Sequence, residues 1–170
     1  VYRIRLLGDP ILRKKSKKIE VFDDGLKKIA SNMLQTMYAN DGVGLAAPQV
    51  GFSIRLFVMD AGDRPRIVVN PEILEMSEEK LEGEEGCLSI PDVFEYVERS
   101  KSVKVRYFDT LGNVHEETLE GYPARVFQHE YDHLEGILFI DRLNPVKRVL
   151  LRGKLLEIIK KSREILKQTR

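Results

Sequence analysis

Two of the three histidines in this 170-residue chain stand four residues apart, in His129-Glu130-Tyr131-Asp132-His133. On a helix, side chains four apart sit one above the other on one face, so both imidazoles can reach the same ion. The segment therefore reads as a metal-binding helix, and the rest of the fold has to be arranged around it. The flanks agree with this. Gly121-Tyr122-Pro123 opens the segment with a proline tolerated in a first turn, and Gly136 closes it with a residue suited to a helix C-terminus. Glu130, beside the first histidine, can point at a water on the ion, take its proton and pass it to a leaving group. A five-residue pattern also arises by chance on solvated helices. Here, however, the chain spends two of its three histidines on the pattern. His115, in a separate hairpin strand, reads as a surface residue with no role.

Catalytic sites of this kind use three protein ligands and an open position. The metzincin proteases place a further histidine six residues after the second, where this chain has Phe139. Glu157 and Glu164 lie on a basic, solvent-facing helix. The remaining candidate is Cys87, whose thiolate suits Zn or Fe(II). A lone cysteine is more often a small buried hydrophobe. The surrounding Glu84-Glu85-Gly86-Cys87-Leu88-Ser89 reads as a tight turn running into a strand, with Gly86 allowing close backbone approach. With a two-histidine helix lacking a ligand, that context favours the metal. A single cysteine forms no intrachain disulfide, which points to a reducing, cytoplasmic location. No signal peptide, transit peptide or membrane-spanning run is visible. The balance of 28 Lys and Arg against 27 Asp and Glu gives no bulk charge for DNA or a membrane surface.

The periodicities predict an α+β fold: mixed, mainly antiparallel strands around the central metal-binding helix, with an N-terminal and a C-terminal helix. Residues 1–170 are expected to form one catalytic domain. Asp23 or Asp24 caps a first helix running to about Asn40, its apolar face made by Leu26, Ile29, Ala30, Met33, Leu34 and Met37. Strands are expected at Arg55 to Met59, Arg66 to Asn70, Ile73 to Met76 and Ser102 to Phe108. A hairpin turn at Thr110-Leu111-Gly112-Asn113 leads to a return strand from Val114 to Leu119. A last helix is expected from about Val146 to near Arg170.

Three segments together resemble one family. Gly42-Val43-Gly44-Leu45-Ala46-Ala47-Pro48-Gln49 resembles the G-x-G-L-A-A-x-Q motif of peptide deformylases. Glu85-Gly86-Cys87-Leu88-Ser89 resembles their E-G-C-L-S motif, and Gln128-His129-Glu130-Tyr131-Asp132-His133 their Q-H-E-x-D-H motif. Order and rough spacing match, and the likeness covers nearly the whole chain. The resemblance implies removal of the N-formyl group from the initiator methionine of new polypeptides, with release of formate. It implies Cys87, His129 and His133 as metal ligands and Glu130 as acid/base. Gln49 and the backbone N–H of Leu88 would hold the oxygen of the attacked formyl group, the part that fixed donors play for any tetrahedral oxyanion. The implied metal is one divalent ion per chain: Fe(2+) in the cell, with Zn(2+) also accommodated. Gly42, Val43, Gly44 and Leu45 in extended form would pair with the peptide. Val43 and Val126 would line an apolar pocket for methionine, ordinary core packing being the alternative. Phe94 stands where some members carry an arginine.

From Lys147 to Arg170 the chain has nine Lys or Arg and two Glu. Val149, Leu150, Leu155, Leu156, Ile158, Ile159, Ile165 and Leu166 make the segment amphipathic. It reads either as a docked helix with a solvated basic face or as a contact to the ribosome, whose RNA is polyanionic. Two other functions fit parts of the pattern. One is a zincin protease, against which Cys87 and Phe139 speak. The other is a non-catalytic ribosome-binding module, against which the intact ligand set and Glu130 speak.

Overall fold

The computed structural model describes residues 1–168. Helix α1, Asp24–Ala39, starts where the Asp23 side chain accepts from the Leu26 N–H at 3.0 Å, an N-cap that satisfies one of the donors the helix leaves free. The strands follow as β1 (Gly44–Ala46), β2 (Leu56–Asp60), β3 (Pro65–Met76), β4 (Lys80–Cys87), β5 (Ile90–Ser100), β6 (Ser102–Phe108) and β7 (Val114–Glu120). Helix α2, Tyr122–Leu134, carries the histidines, and α3, Pro145–Gln168, closes the described chain. Two residues of the segment expected to be helical, Thr169 and Arg170, lie outside the described residues.

β1, β2, β3, β6 and β7 form one antiparallel sheet in the order β1-β2-β3-β6-β7, and β4 pairs with β5 in a separate hairpin. Side chains alternate along β2 because successive residues point to opposite faces. Phe57 and Met59 enter a core with α2, whose Phe127 ring meets Phe57 edge-on at 5.0 Å. Leu56 and Val58 enter a second core covered by α1 through Leu26, Ala30, Met33 and Met37. Both faces of the strand are thus buried, which is why its sequence is a continuous apolar run. A third core joins Ile90, Val93 and Val97 of β5 to Leu7, Leu12, Leu138, Phe139 and Ile158. Helix α2 lies between the sheet and the β4–β5 hairpin, and ten of its thirteen residues are buried.

The α+β expectation holds, with four local corrections. The strands expected at Arg66 to Asn70 and Ile73 to Met76 are one strand, β3. Its register shifts between Val69 and Glu72, where Asn70 takes φ 49° before Pro71. Proline has no N–H for the ladder, so the strand bends there without ending. Cys87 closes strand β4, and the turn follows it at Leu88 and Ser89. Strand β4 was not expected, and the strand expected to follow the turn is the long β5. Its core-facing Val93 and Val97 are separated by charged and aromatic residues that face outward, so a short window does not show the alternation. Finally, the apolar residues of α3 do not share one covered face. Ile158 is buried, with Leu155 and Ile159 packed beside it, but Val149 is 71% and Leu150 80% exposed.

Candidate metal centre

The hairpin and α2 bring the chemistry together. One ligand atom each from Cys87, His129 and His133 lies within 4.8 Å of the others. The Cys87 Sγ is 3.4 Å from His133 Nε2, and the two imidazole centroids are 5.1 Å apart. Two imidazoles and a thiol on a buried wall are a donor set that fits Zn or Fe(II). His129 is held from behind by Glu85, whose Oε1 accepts from Nδ1 at 2.8 Å. That bond fixes the ring so that Nε2 faces the site, the usual arrangement for a metal-binding histidine.

Glu85 is itself saturated. Arg99 donates to it from Nε and Nη2 at 2.9 Å each, and Arg125 donates from Nη1 at 2.7 Å. Burial works to raise the Glu85 carboxyl. The Arg99 and His129 hydrogen bonds and charges outweigh that and hold it well below the usual carboxylate range. Burial likewise pulls His129 down, but the hydrogen bond to Cys87, the charge of Glu130 and the hydrogen bond to Glu85 raise it to about 10. His133 is driven the other way, first by burial and then by the charge of His129.

Glu130 sits inside the same wall, its Oε2 3.8 Å from His129 Nε2. Its Oε1 is buried and has no hydrogen-bond partner. Burial, the largest cause, raises its carboxyl to about 7, the range in which a group can both take and return a proton near neutral pH. Gly44 makes the room, since a Cβ there would lie 2.5 Å from Glu130 Oε2. Gln49 is also buried. The Ala46 N–H donates to its Oε1 at 2.9 Å, which turns the amide nitrogen toward Ser89 Oγ at 3.0 Å and Cys87 Sγ at 3.4 Å.

These groups open on a cavity of about 520 Å³ lined by Gly42, Val43, Gly44, Gln49, Leu88, Val126, His129 and Glu130 together with Phe94, Tyr122 and Arg125. One wall is β1, an edge strand. Val43 C=O accepts from Asp60 N–H at 2.8 Å, and Gly44 stands opposite Met59. Because hydrogen-bonded and non-bonded pairs alternate in an antiparallel ladder, the Gly44 N–H and C=O turn away from β2. Of the residues expected to meet a substrate, Leu45 alone stays out of the cavity. It is fully buried in the α1 core, because strand alternation turns it to the opposite side from Gly44. Phe94 is 62% exposed at the cavity rim, its ring so close to Gly86 that a Cβ there would meet Cε1 at 2.5 Å. The close approach expected at Gly86 is thus to this ring. His115 is exposed, as expected, and pairs with Asp109 at 2.9 Å.

The chain matches the family model for polypeptide deformylase over residues 1–149. The chain belongs to the peptide deformylase family. It is 59% identical over 163 residues to the peptide deformylase of Thermotoga neapolitana, covering 96% of this chain and 99% of the relative. It is 44% identical over 168 residues to that of Fusobacterium nucleatum, covering 97% of each. Among solved structures, the peptide deformylase of Thermus thermophilus superimposes with a TM-score of 0.90 at 48% identity over 95% of this chain and 99% of that one. The Thermotoga maritima enzyme gives 0.83 at 60% identity over 85% and 98%. As a member of the peptide deformylase family the chain is a metal-dependent hydrolase that removes the N-formyl group from newly made polypeptides.

Sequence reasoning assigned nothing to Glu85, Arg99, Arg125 or Asp132. One signal was available for Glu85. It stands two residues before Cys87, and residues two apart on a strand point the same way. The arginines gave none, because their partners come from other elements.

Proposed function

We propose that Cys87, His129 and His133 hold one divalent ion, that Glu130 is the acid/base, and that Gln49 and the Leu88 N–H receive the developing oxyanion. The observation that carries this is the juxtaposition of three donor atoms within 4.8 Å with a buried carboxylate whose Oε1 has no other partner. When bound, the ion supplies Lewis acidity toward water and the formyl carbonyl. Glu130 takes the proton of the attacking water and delivers it to the amine nitrogen of methionine as the C–N bond breaks. Gln49, its amide turned by Ala46, donates to the oxygen that gains charge, and loss of one such donor costs on the order of 3 kcal/mol. The outward N–H and C=O of Gly44 pair with the peptide backbone as an added strand. Val43 and Val126 contact the methionine side chain, and the wider cavity toward Phe94 receives the residues after it.

Fe(2+) is the proposed ion in the cell and Zn(2+) an ion the same donors accept. Metal analysis after anaerobic purification, read beside activity, distinguishes them. The chain acts as one catalytic domain in the cytoplasm, where a lone cysteine stays reduced. No helix among the described residues is long and apolar enough to cross a membrane. The basic α3 is proposed to contact the ribosome. Removal of residues 150 to 170 is expected to weaken co-sedimentation with ribosomes in a salt-dependent manner, and unchanged, salt-insensitive binding would count against it. The reaction itself is tested by formate release from a formyl-Met peptide. Metal-dependent release by the wild type and its loss in Glu130→Gln are expected, and no metal-dependent release by the wild type would overturn the assignment.

A further inference from the structure

Asp132 lies inside the metal motif, is buried, and belongs to neither the ligand set nor the proposed proton path. Its carboxylate points away from the cavity. Oδ2 accepts from Arg99 Nη1 at 2.6 Å and from Arg142 Nε at 3.0 Å, and Oδ1 accepts from Arg142 Nη2 at 2.9 Å. Arg99 in turn holds both oxygens of Glu85, and Glu85 holds His129. The result is a continuous row of alternating charge, Arg142–Asp132–Arg99–Glu85, ending on an imidazole that faces the metal site. Its inner members are buried and its outer member is not. The Arg142 side chain is 46% exposed, at a small cleft behind α2 lined also by Ile73, Lys80 and Glu98.

We propose that Arg142, acting through Asp132 and Arg99, is a positioning residue for the metal ligand His129. Each buried charge here has a fixed partner on either side, so no member can turn without unpairing its neighbour, and an unpaired buried charge is strongly disfavoured. Arg99 is the pivot. Its guanidinium is planar, with donors in a fixed fork. One edge grips Glu85 while the remaining nitrogen reaches Asp132. When Arg142 neutralises Asp132, Arg99 is left free to hold Glu85 squarely against His129. Without Arg142 the whole demand of Asp132 falls on Arg99, which is drawn off Glu85 and leaves that carboxylate to Arg125. The inference rests on the proposed ligand role of His129, but it concerns the row of charges behind that residue.

A simpler role for Arg142 is to fasten the turn Phe139–Arg142 to α2. That turn has a second, independent fastening. Arg13 pairs with Asp141 through Nη2 at 3.2 Å and through a shorter Nη1 contact, and it touches neither Asp132 nor Arg99. The experiment compares Arg142→Met, Arg142→Lys and Arg13→Met in the Zn(2+)-loaded protein. It reads the rate of metal transfer to a chelator, the NMR resonance of the His129 Nδ1 proton and the melting midpoint. Direct partners of metal-binding histidines change affinity by roughly 10–100-fold, so a residue further out should do less, about 5-fold. Arg142→Met is expected to release metal about that much faster and to shift the His129 resonance, with Arg142→Lys recovering most of both. Arg13→Met is expected to lower the melting midpoint while leaving the His129 resonance unchanged. The proposal is overturned if Arg142→Met leaves release and resonance both unchanged, or if Arg13→Met shifts the His129 resonance equally. Formate release retained in Glu130→Gln, with normal zinc retention, would count against the proposed chemistry alone, so the two inferences fail separately.

Discussion

Helices α2 and α3 both mix apolar with charged residues, yet the protein treats them in opposite ways. Ten of thirteen residues of α2 are buried, against Ile158 and Ser162 alone among the 24 of α3. Helix α2 is enclosed by a sheet on one side and the β4–β5 hairpin on the other, so most of its polar groups have fixed partners, Glu130 Oε1 and His133 Nδ1 excepted. Gln128 donates to the Ser100 and Ala124 carbonyls at 2.9 and 3.0 Å, and Asp132 takes two arginines. Helix α3 meets the rest of the chain along one narrow line. Most of its cations stay solvated, Lys147 reaching Glu95 and the Tyr96 carbonyl and Lys154 the Asp92 carbonyl, and Leu150 gains little from folding. Burial on all sides is what permits α2 to hold charged groups at fixed distances, because inside the protein a charge without its partner is costly. A helix wetted on most of its surface has no such constraint.

This contrast can be tested from its largest consequence downward. Glu130→Gln is expected to lower the rate of formate release by about 10²–10⁴-fold, the usual share of a general acid/base. Metal content should be retained, since the amide replaces a carboxylate that holds no ligand atom in the proposed set. Metal analysis beside the rate measurement checks both. Glu85→Gln leaves Arg99 and Arg125 without their shared anion and is expected to cost about 3–5 kcal/mol of stability. It should also weaken metal retention by roughly 10–100-fold. Unchanged zinc affinity would mean that the carboxylate behind His129 is dispensable.

Phe127→Ala should cost about 3–5 kcal/mol by chemical denaturation, because the ring is fully buried against Phe57. Leu150→Ser on α3 should stay within about 0.5 kcal/mol of the wild type. A similar cost for the two would erase the distinction between the helices. The mildest test concerns protons. In the metal-free protein His129 keeps its proton up to about 10, and a ligand nitrogen must give that proton up. Metal uptake should therefore release protons, and apparent affinity should rise with pH through neutrality toward that value. Titration of Zn(2+) into weakly buffered protein, followed by pH, would show it, and pH-independent uptake would contradict it.

Much of this was legible in the residues themselves. Four-residue spacing set both histidines on one helix face, Asp23 set the start of α1, and alternation gave β6 and its hairpin, because these are short-range properties of a chain. Local pattern could also say that Cys87 was the available third ligand. It could not say that Leu45 turns into the core while Gly44 makes room for Glu130, since that depends on which side of an edge strand faces α2. Nor could it say that the apolar residues of α3 divide between a covered and a wetted side. Above all, the sequence names Glu85, Arg99, Asp132 and Arg142 as four scattered charges. Only the packing of hairpin, helix and turn, by taking them out of water at hydrogen-bond distance, makes them one connected support behind a metal ligand.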